Sequence, residues 1–135
     1  MTKFRKFLLC VCAAALMIVA QTSASTSAQS TCNTQHKCNC VLWVRCARVP
    51  SLPYGLNTMQ DKKNIINSYT PAVGSVAIMN VGKWGHVGYV AAVNKDSRGN
   101  VISIKVEEAN YTPCVIGSRT GSPSTLKVVG YYRPR

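Results

Sequence analysis

The chain has 135 residues, with 16 Lys and Arg against four Asp and Glu and a formal charge of +12. That length fits one domain with a modest core, which disulfides would help to hold. The positive surplus favours an anionic partner, either cell-wall polymer, membrane surface or nucleic acid. Basic residues are scattered singly apart from Lys62-Lys63, with no basic stripe alternating with aromatics, so a nucleic-acid partner would rest on charge alone.

In chain order, Lys3, Arg5 and Lys6 come first, an apolar stretch covers residues 7–20, and small residues follow. This is the pattern of a secretory signal over residues 1–28, with Thr26-Ser27-Ala28 the preferred cleavage site. The apolar stretch is too short to span a bilayer by itself. No second one follows, so no stable membrane insertion is expected after cleavage. Residues 29–135 then form one domain, expected to be secreted or to reside in the periplasm or cell wall. Three of the sixteen basic residues leave with the signal, and all four acids stay. Residues 21–31 are rich in Ser, Thr, Ala and Gln and read as signal tail plus a flexible start.

Of the seven cysteines, Cys10 and Cys12 belong to the signal. Cys32, Cys38, Cys40, Cys46 and Cys114 remain, an odd number in an oxidising compartment. Two bridges and one free thiol is the simplest count. Residues 41–49 read as a helix capped by Asn39 and stopped by Pro50, with Leu42, Cys46 and Val49 on one face. Residues 50–56 are a loop. A second helix is expected over residues 57–67, with Ile65 and Ile66 facing inward. Strands are expected at residues 75–80, 86–94, 101–110 and 126–132, with a hairpin turn at 96–100. Helices first and strands afterwards argue for an α+β fold, with N-terminal helices packed on a mainly antiparallel sheet.

Three residues carry chemistry. Cys40 falls in the first turn of the capped helix, where free amides and the helix dipole favour a thiolate. Cys46 lies about 9 Å along the helix, too far for a bridge. A bridge to Cys38 would close a strained ring, so only Cys32 and Cys114 compete for the Cys40 sulfur. His86 begins a strand after Gly85, where a backbone or substrate can approach closely. His36 lies in a polar segment and reads as surface. Strand parity puts Ile102, Ile104, Val106, Glu108 and Asn110 on one buried face and Glu107 on the solvent side. Glu108 is thus an acid at the end of an apolar row, needing a partner. A thiol, an imidazole and a carboxylate are the parts of a nucleophile, its base and the base's orienter. The Cys38, Cys40 and Cys46 spacing is not that of a common zinc site, and no cofactor or metal is expected.

Several segments, in this order, resemble the CHAP domain, a cysteine- and histidine-dependent amidohydrolase/peptidase of the NlpC/P60 and papain-like group. They are Asn-Cys-Val-Leu-Trp-Val (residues 39–44), Arg-Val-Pro (48–50), Pro-Tyr-Gly-Leu (53–56) and Pro-Ala-Val-Gly-Ser-Val-Ala-Ile (71–78). Gly-His-Val-Gly-Tyr-Val (85–90) and Glu-Ala-Asn-Tyr (108–111) complete the set. The resemblance spans nearly all of residues 29–135. Ser75 stands where many members have Asp, which affects a turn rather than the chemistry. The resemblance implies a papain-like, NlpC/P60-like fold, Cys40 as nucleophile, His86 as general base, Glu108 as orienter and Asn110 as an auxiliary polar group near the histidine. It implies cleavage of peptidoglycan amide bonds, either muramoyl–alanine linkages or peptide cross-links, by a protein expected to be monomeric. The competing expectation is a non-catalytic cationic wall-binding domain on the same fold, with Cys40 locked in a disulfide. With Cys40 free, the other four cysteines of the domain allow three pairings.

Overall fold

A computed structural model describes residues 22–135. Three helices come first: α1 (Thr22–His36), α2 (Cys40–Ala47) and α3 (Met59–Asn64). Five strands follow: β1 (Val76–Met79), β2 (His86–Lys95), β3 (Val101–Ala109), β4 (Ile116–Gly121) and β5 (Val128–Tyr132). They form one antiparallel sheet in the order β4-β3-β2-β1-β5. The fold is α+β, as the order of helix and strand patterns predicts.

The sheet is buried on both faces around β1, whose four residues are all inside. Val76, Ile78 and Val87 pack with Val41, Trp43 and Val44 of α2. Ala77, Met79, Val90, Ile104 and Val106 turn the other way and pack with Leu126 and Tyr131. Strand alternation thus feeds two apolar clusters from one sheet. Helix α2 caps on Asn39, whose side chain accepts from Leu42 N–H at 3.0 Å. Its buried residues are Val41, Trp43 and Val44, while Leu42 is on the outside, so the inward face is rotated from the expected one. Cys46 instead faces α1, where it bonds to Cys32.

Two elements differ from expectation for physical reasons. The segment read as a flexible start is the helix α1. Its hydroxyls satisfy themselves locally, Thr31 donating to Ser27 O at 3.1 Å and Thr34 to Ser30 O at 3.0 Å. Tertiary anchors then fix it: the Cys32–Cys46 bridge, Trp43 Nε1 on Asn33 Oδ1 at 2.9 Å, and Arg48 on Gln29 Oε1 at 2.6 Å. The expected cleavage site at residues 26–28 falls within α1, and the apolar part of the expected signal lies outside the described residues. Strand β4, Ile-Gly-Ser-Arg-Thr-Gly, has no apolar alternation at all. It is an edge strand held by its ladder to β3, from Ile104↔Gly121 to Ala109↔Ile116.

Smaller differences follow the same logic. Helix α3 is shorter than residues 57–67. A capping box between Thr58 and Asp61 starts it, and Ile65 closes it, with Ile65 and Ile66 packed inward against the core. Ile102 is 57% exposed because β3 runs past the core before Ile104 enters it. Glu107 does not simply face solvent: it is half-buried and paired with Arg48 at 2.7 Å. Ser75 makes a turn, its hydroxyl donating to Ala72 O at 2.5 Å.

Gly85, just before β2, sits at φ +69°, and a Cβ there would run into Met59 of α3. Gly85→Ala combines left-handed backbone strain with that collision. The substitution is expected to cost about 1–3 kcal/mol of stability in urea unfolding.

Candidate active site

The helix α2 points its N-terminus at the start of β2 and the end of β3. Cys40 is the first residue of that helix, His86 the first of β2, and Glu108 the penultimate residue of β3. The three expected residues therefore meet although they lie far apart in sequence. Among the described residues, Cys40 is the free cysteine. Cys38 is joined to Cys114 and Cys32 to Cys46. The disulfide that the binding-domain alternative requires at Cys40 is not formed.

The Cys40 thiol lies beside the His86 imidazole and the backbone N–H of Val87, close enough for both to draw its pKa down. The other side of the ring is occupied too, Nε2 lying 2.9 Å from Glu108 Oε2. That leaves Nδ1 for the sulfur. Glu108 is 2% exposed, and Arg119 grips it with two nitrogens, Nε on Oε1 and Nη2 on Oε2 at 3.0 Å. Sulfur, imidazole, carboxylate and guanidinium thus form one chain of alternating charge when the thiol is ionised.

The electrostatics follow from that chain. Burial pushes the Cys40 thiol up, but the hydrogen bond and charge of His86 outweigh it, with help from Val87 N–H and Lys62, and the thiol ends below its ordinary range. Burial pushes His86 down, yet its bonds to Cys40 and Glu108 and their charges lift it from 6.5 to about 9. Burial pushes Glu108 up, and the His86 and Arg119 hydrogen bonds bring it below the usual carboxyl value. At neutral pH the imidazole is therefore protonated, and its charge draws the thiol toward the thiolate.

Arg119 is the residue that sequence reasoning missed. It sits on β4, whose polar sequence hides the strand. The β3–β4 register pairs Val106 with Arg119 and Glu108 with Gly117. Arg119 is therefore one step from Glu108 on the same face of the sheet. The available signal was the demand of a buried acid for a cation, and Arg119 lies only eleven residues downstream. Arg119 also covers the Tyr111 ring at 3.4 Å, and Tyr111 meets His86 edge-on at 5.8 Å.

Asn110 lies in the wall of the cleft, but its carboxamide oxygen accepts from Cys114 N–H at 2.9 Å rather than from the imidazole. With φ 64° it turns the chain out of β3. Together with the Cys38–Cys114 bridge it fixes the 110–114 loop against the segment leading into α2. The thiol and imidazole look into an open cleft of about 590 Å³, whose walls include Asn39, Leu56, Trp84 and Tyr111. Among the described residues, no group of three His, Cys, Asp or Glu is arranged to hold a metal ion.

Removing Arg119 leaves Glu108 buried with one cation instead of two. Arg119→Met is expected to lower stability by about 2 kcal/mol at neutral pH. The stabilisation that a depressed carboxyl contributes is present above its ordinary value of 4.5 and is lost as pH falls through the lowered one. Without Arg119 the folded-state value moves back up, so less stability is lost on acidification and the loss is complete at higher pH, which melting temperatures measured across the acid range would show.

A CHAP domain family model matches residues 10–110, which include the segments around Cys40, His86 and Glu108 but not Arg119. No curated protein matches the sequence. CHAP domains are typically cysteine- and histidine-dependent amidohydrolases and peptidases, with a substrate related to peptidoglycan. The match spans most of the chain and agrees with the α+β fold, and the chain belongs to the CHAP domain family.

Proposed function

We propose that this protein is an exported cysteine amidohydrolase/peptidase that cleaves amide bonds of peptidoglycan, either muramoyl–L-alanine linkages or peptide cross-links. The observation that carries the reading is the thiol–imidazole–carboxylate–guanidinium chain with its sulfur end open to a cleft. A packed core needs no such chain, because each member is costly to bury alone. The positive surplus suits an anionic wall polymer. The N-terminal pattern of a basic start, an apolar stretch and small residues supports export.

In this mechanism the Cys40 thiolate attacks the carbonyl carbon of the scissile amide. The developing oxyanion is held in part by the Cys40 backbone N–H, one of the first-turn amides that the helix leaves unpaired. The His86 imidazolium gives its proton to the leaving nitrogen as the C–N bond breaks, leaving a thioester on Cys40. Neutral His86 then takes a proton from water, which attacks the thioester and releases the acid. Glu108 keeps the ring oriented through both steps and stabilises its charged form. Arg119 keeps Glu108 ionised and fixed, and Asn110 shapes the cleft wall.

Wild-type protein should clear suspensions of purified peptidoglycan and release new amino groups, and Cys40→Ser should do neither. Clearing by both proteins would remove Cys40 from the mechanism. Binding of walls by both without clearing would favour the wall-binding domain instead. The rate should also fall on the alkaline side with a midpoint near the His86 value of about 9, because the proton for the leaving amine is lost there.

A further inference from the structure

Lys62 is a charged residue that the mechanism above does not use. It is 3% exposed, on helix α3. Its Nζ donates to Leu56 O at 3.0 Å and to Trp84 O at 2.8 Å. Leu56 ends the loop that precedes α3, and Trp84 belongs to the turn between β1 and β2. Both residues line the cleft, as do Lys62 and Cys40. One ammonium therefore ties together two separate segments of the cleft wall.

Two carbonyls satisfy two of its three N–H donors but not its charge. A buried cation without an anion is unfavourable. The ion pairs among the described residues are Arg48–Glu107, His86–Glu108 and Arg119–Glu108, and Lys62 is in none of them. Asp61 precedes it on α3 and favours its charge less than Cys40 does, its carboxylate being bonded to the N–H and hydroxyl of Thr58. Lys83 is an exposed cation in the turn that carries Trp84, lying over the indole ring at 4.8 Å. On β2, His86 is a cation already shared between Cys40 and Glu108. Glu108 lies beyond His86 and is held by Arg119. The anion left on the inner side is the Cys40 thiolate at the head of α2.

We propose that Lys62 is a positioning residue of this site, whose ammonium pins the two cleft segments and supplies a second positive charge that keeps Cys40 ionised. The proposal deepens the reading of Cys40 as nucleophile and rests on it. The charges act in both directions: Lys62 draws the thiol down, and the thiolate draws Lys62 up against the burial that otherwise depresses it. The doublet Lys62-Lys63 would pass for surface charge in sequence, and indeed Lys63 is exposed.

The test is the pH dependence of iodoacetamide alkylation of Cys40 in the full chain, read by mass spectrometry on the peptide that carries it. In Lys62→Gln, which keeps an N–H donor but no charge, alkylation below the wild-type midpoint should slow by about two- to threefold, with the profile displaced to higher pH. Lys62→Arg should restore the wild-type profile. A second measurement leaves Lys62 in place and so does not depend on folding of those variants. In ¹⁵N-lysine-labelled protein, the Lys62 Nζ signal should titrate at lower pH in Cys40→Ser than in wild type, by the reciprocity of linked sites. Superimposable alkylation profiles in Lys62→Gln and wild type would overturn the proposal. So would a Lys62 titration that ignores Cys40→Ser. Neither readout requires hydrolysis, so failure to cleave walls would remove the proposed function without deciding this one.

Discussion

A carboxylate with 2% of its surface exposed stays ionised only where cations hold it, and Glu108 has two, His86 and Arg119. Remove that charge and His86 loses the partner that fixes its ring and favours its charged form. Without imidazolium, the Cys40 thiol loses the largest influence that draws it down against burial. The state of the Cys40 thiol is therefore set three residues away from it, in a chain that begins on an edge strand. This explains why β4 is present despite a sequence with nothing apolar to bury beyond Ile116. It presents Arg119 on the inner face, beside Val106 and one step from Glu108.

The surrounding structure serves to hold the ends of that chain in place. The Cys38–Cys114 bridge joins the residue just before the helix cap to the loop that leaves β3. It spans 76 residues of sequence, so it ties the segment leading into Cys40 to the segment that carries Glu108. Cys32–Cys46 and the Arg48–Glu107 pair do the same at the other end of α2, against α1 and β3 respectively. The helix is only eight residues long and would be marginal alone. Its position comes from these crosslinks and from Val41, Trp43 and Val44 packed on Val76, Ile78 and Val87. A domain of this size gains from such ties, which explains an otherwise surplus set of four cysteines.

Much of this was legible in the sequence, for identifiable reasons. Asn39 before an apolar run and Pro50 after it mark α2, and Val, Ile and Tyr in alternation mark β1, β2, β3 and β5. Strand parity separates Glu108 from Glu107 correctly, because Ile104 and Val106 define the buried face. What failed to show depends on tertiary partners. Helix α1 is polar and gains its order from Cys32, Asn33 and Gln29 meeting α2 and Arg48. Strand β4 and Arg119 are defined by pairing, not by pattern. The disulfide connectivity was open among three pairings, since spacing alone does not say which ends the sheet brings together. Asn110 was expected beside the histidine on family likeness. It lines the cleft, but its side chain is committed to the backbone of Cys114.

Cys40 and Glu108 together hold the His86 ring in its protonated form at neutral pH. Proton and nitrogen NMR of the His86 ring, followed across pH in wild type and in Cys40→Ser, tests it most directly. The expected result is a doubly protonated ring at neutral pH that titrates at about 9 in wild type and at clearly lower pH when the sulfur is gone. A ring already neutral at pH 7, titrating near the ordinary 6.5 in both proteins, would contradict it.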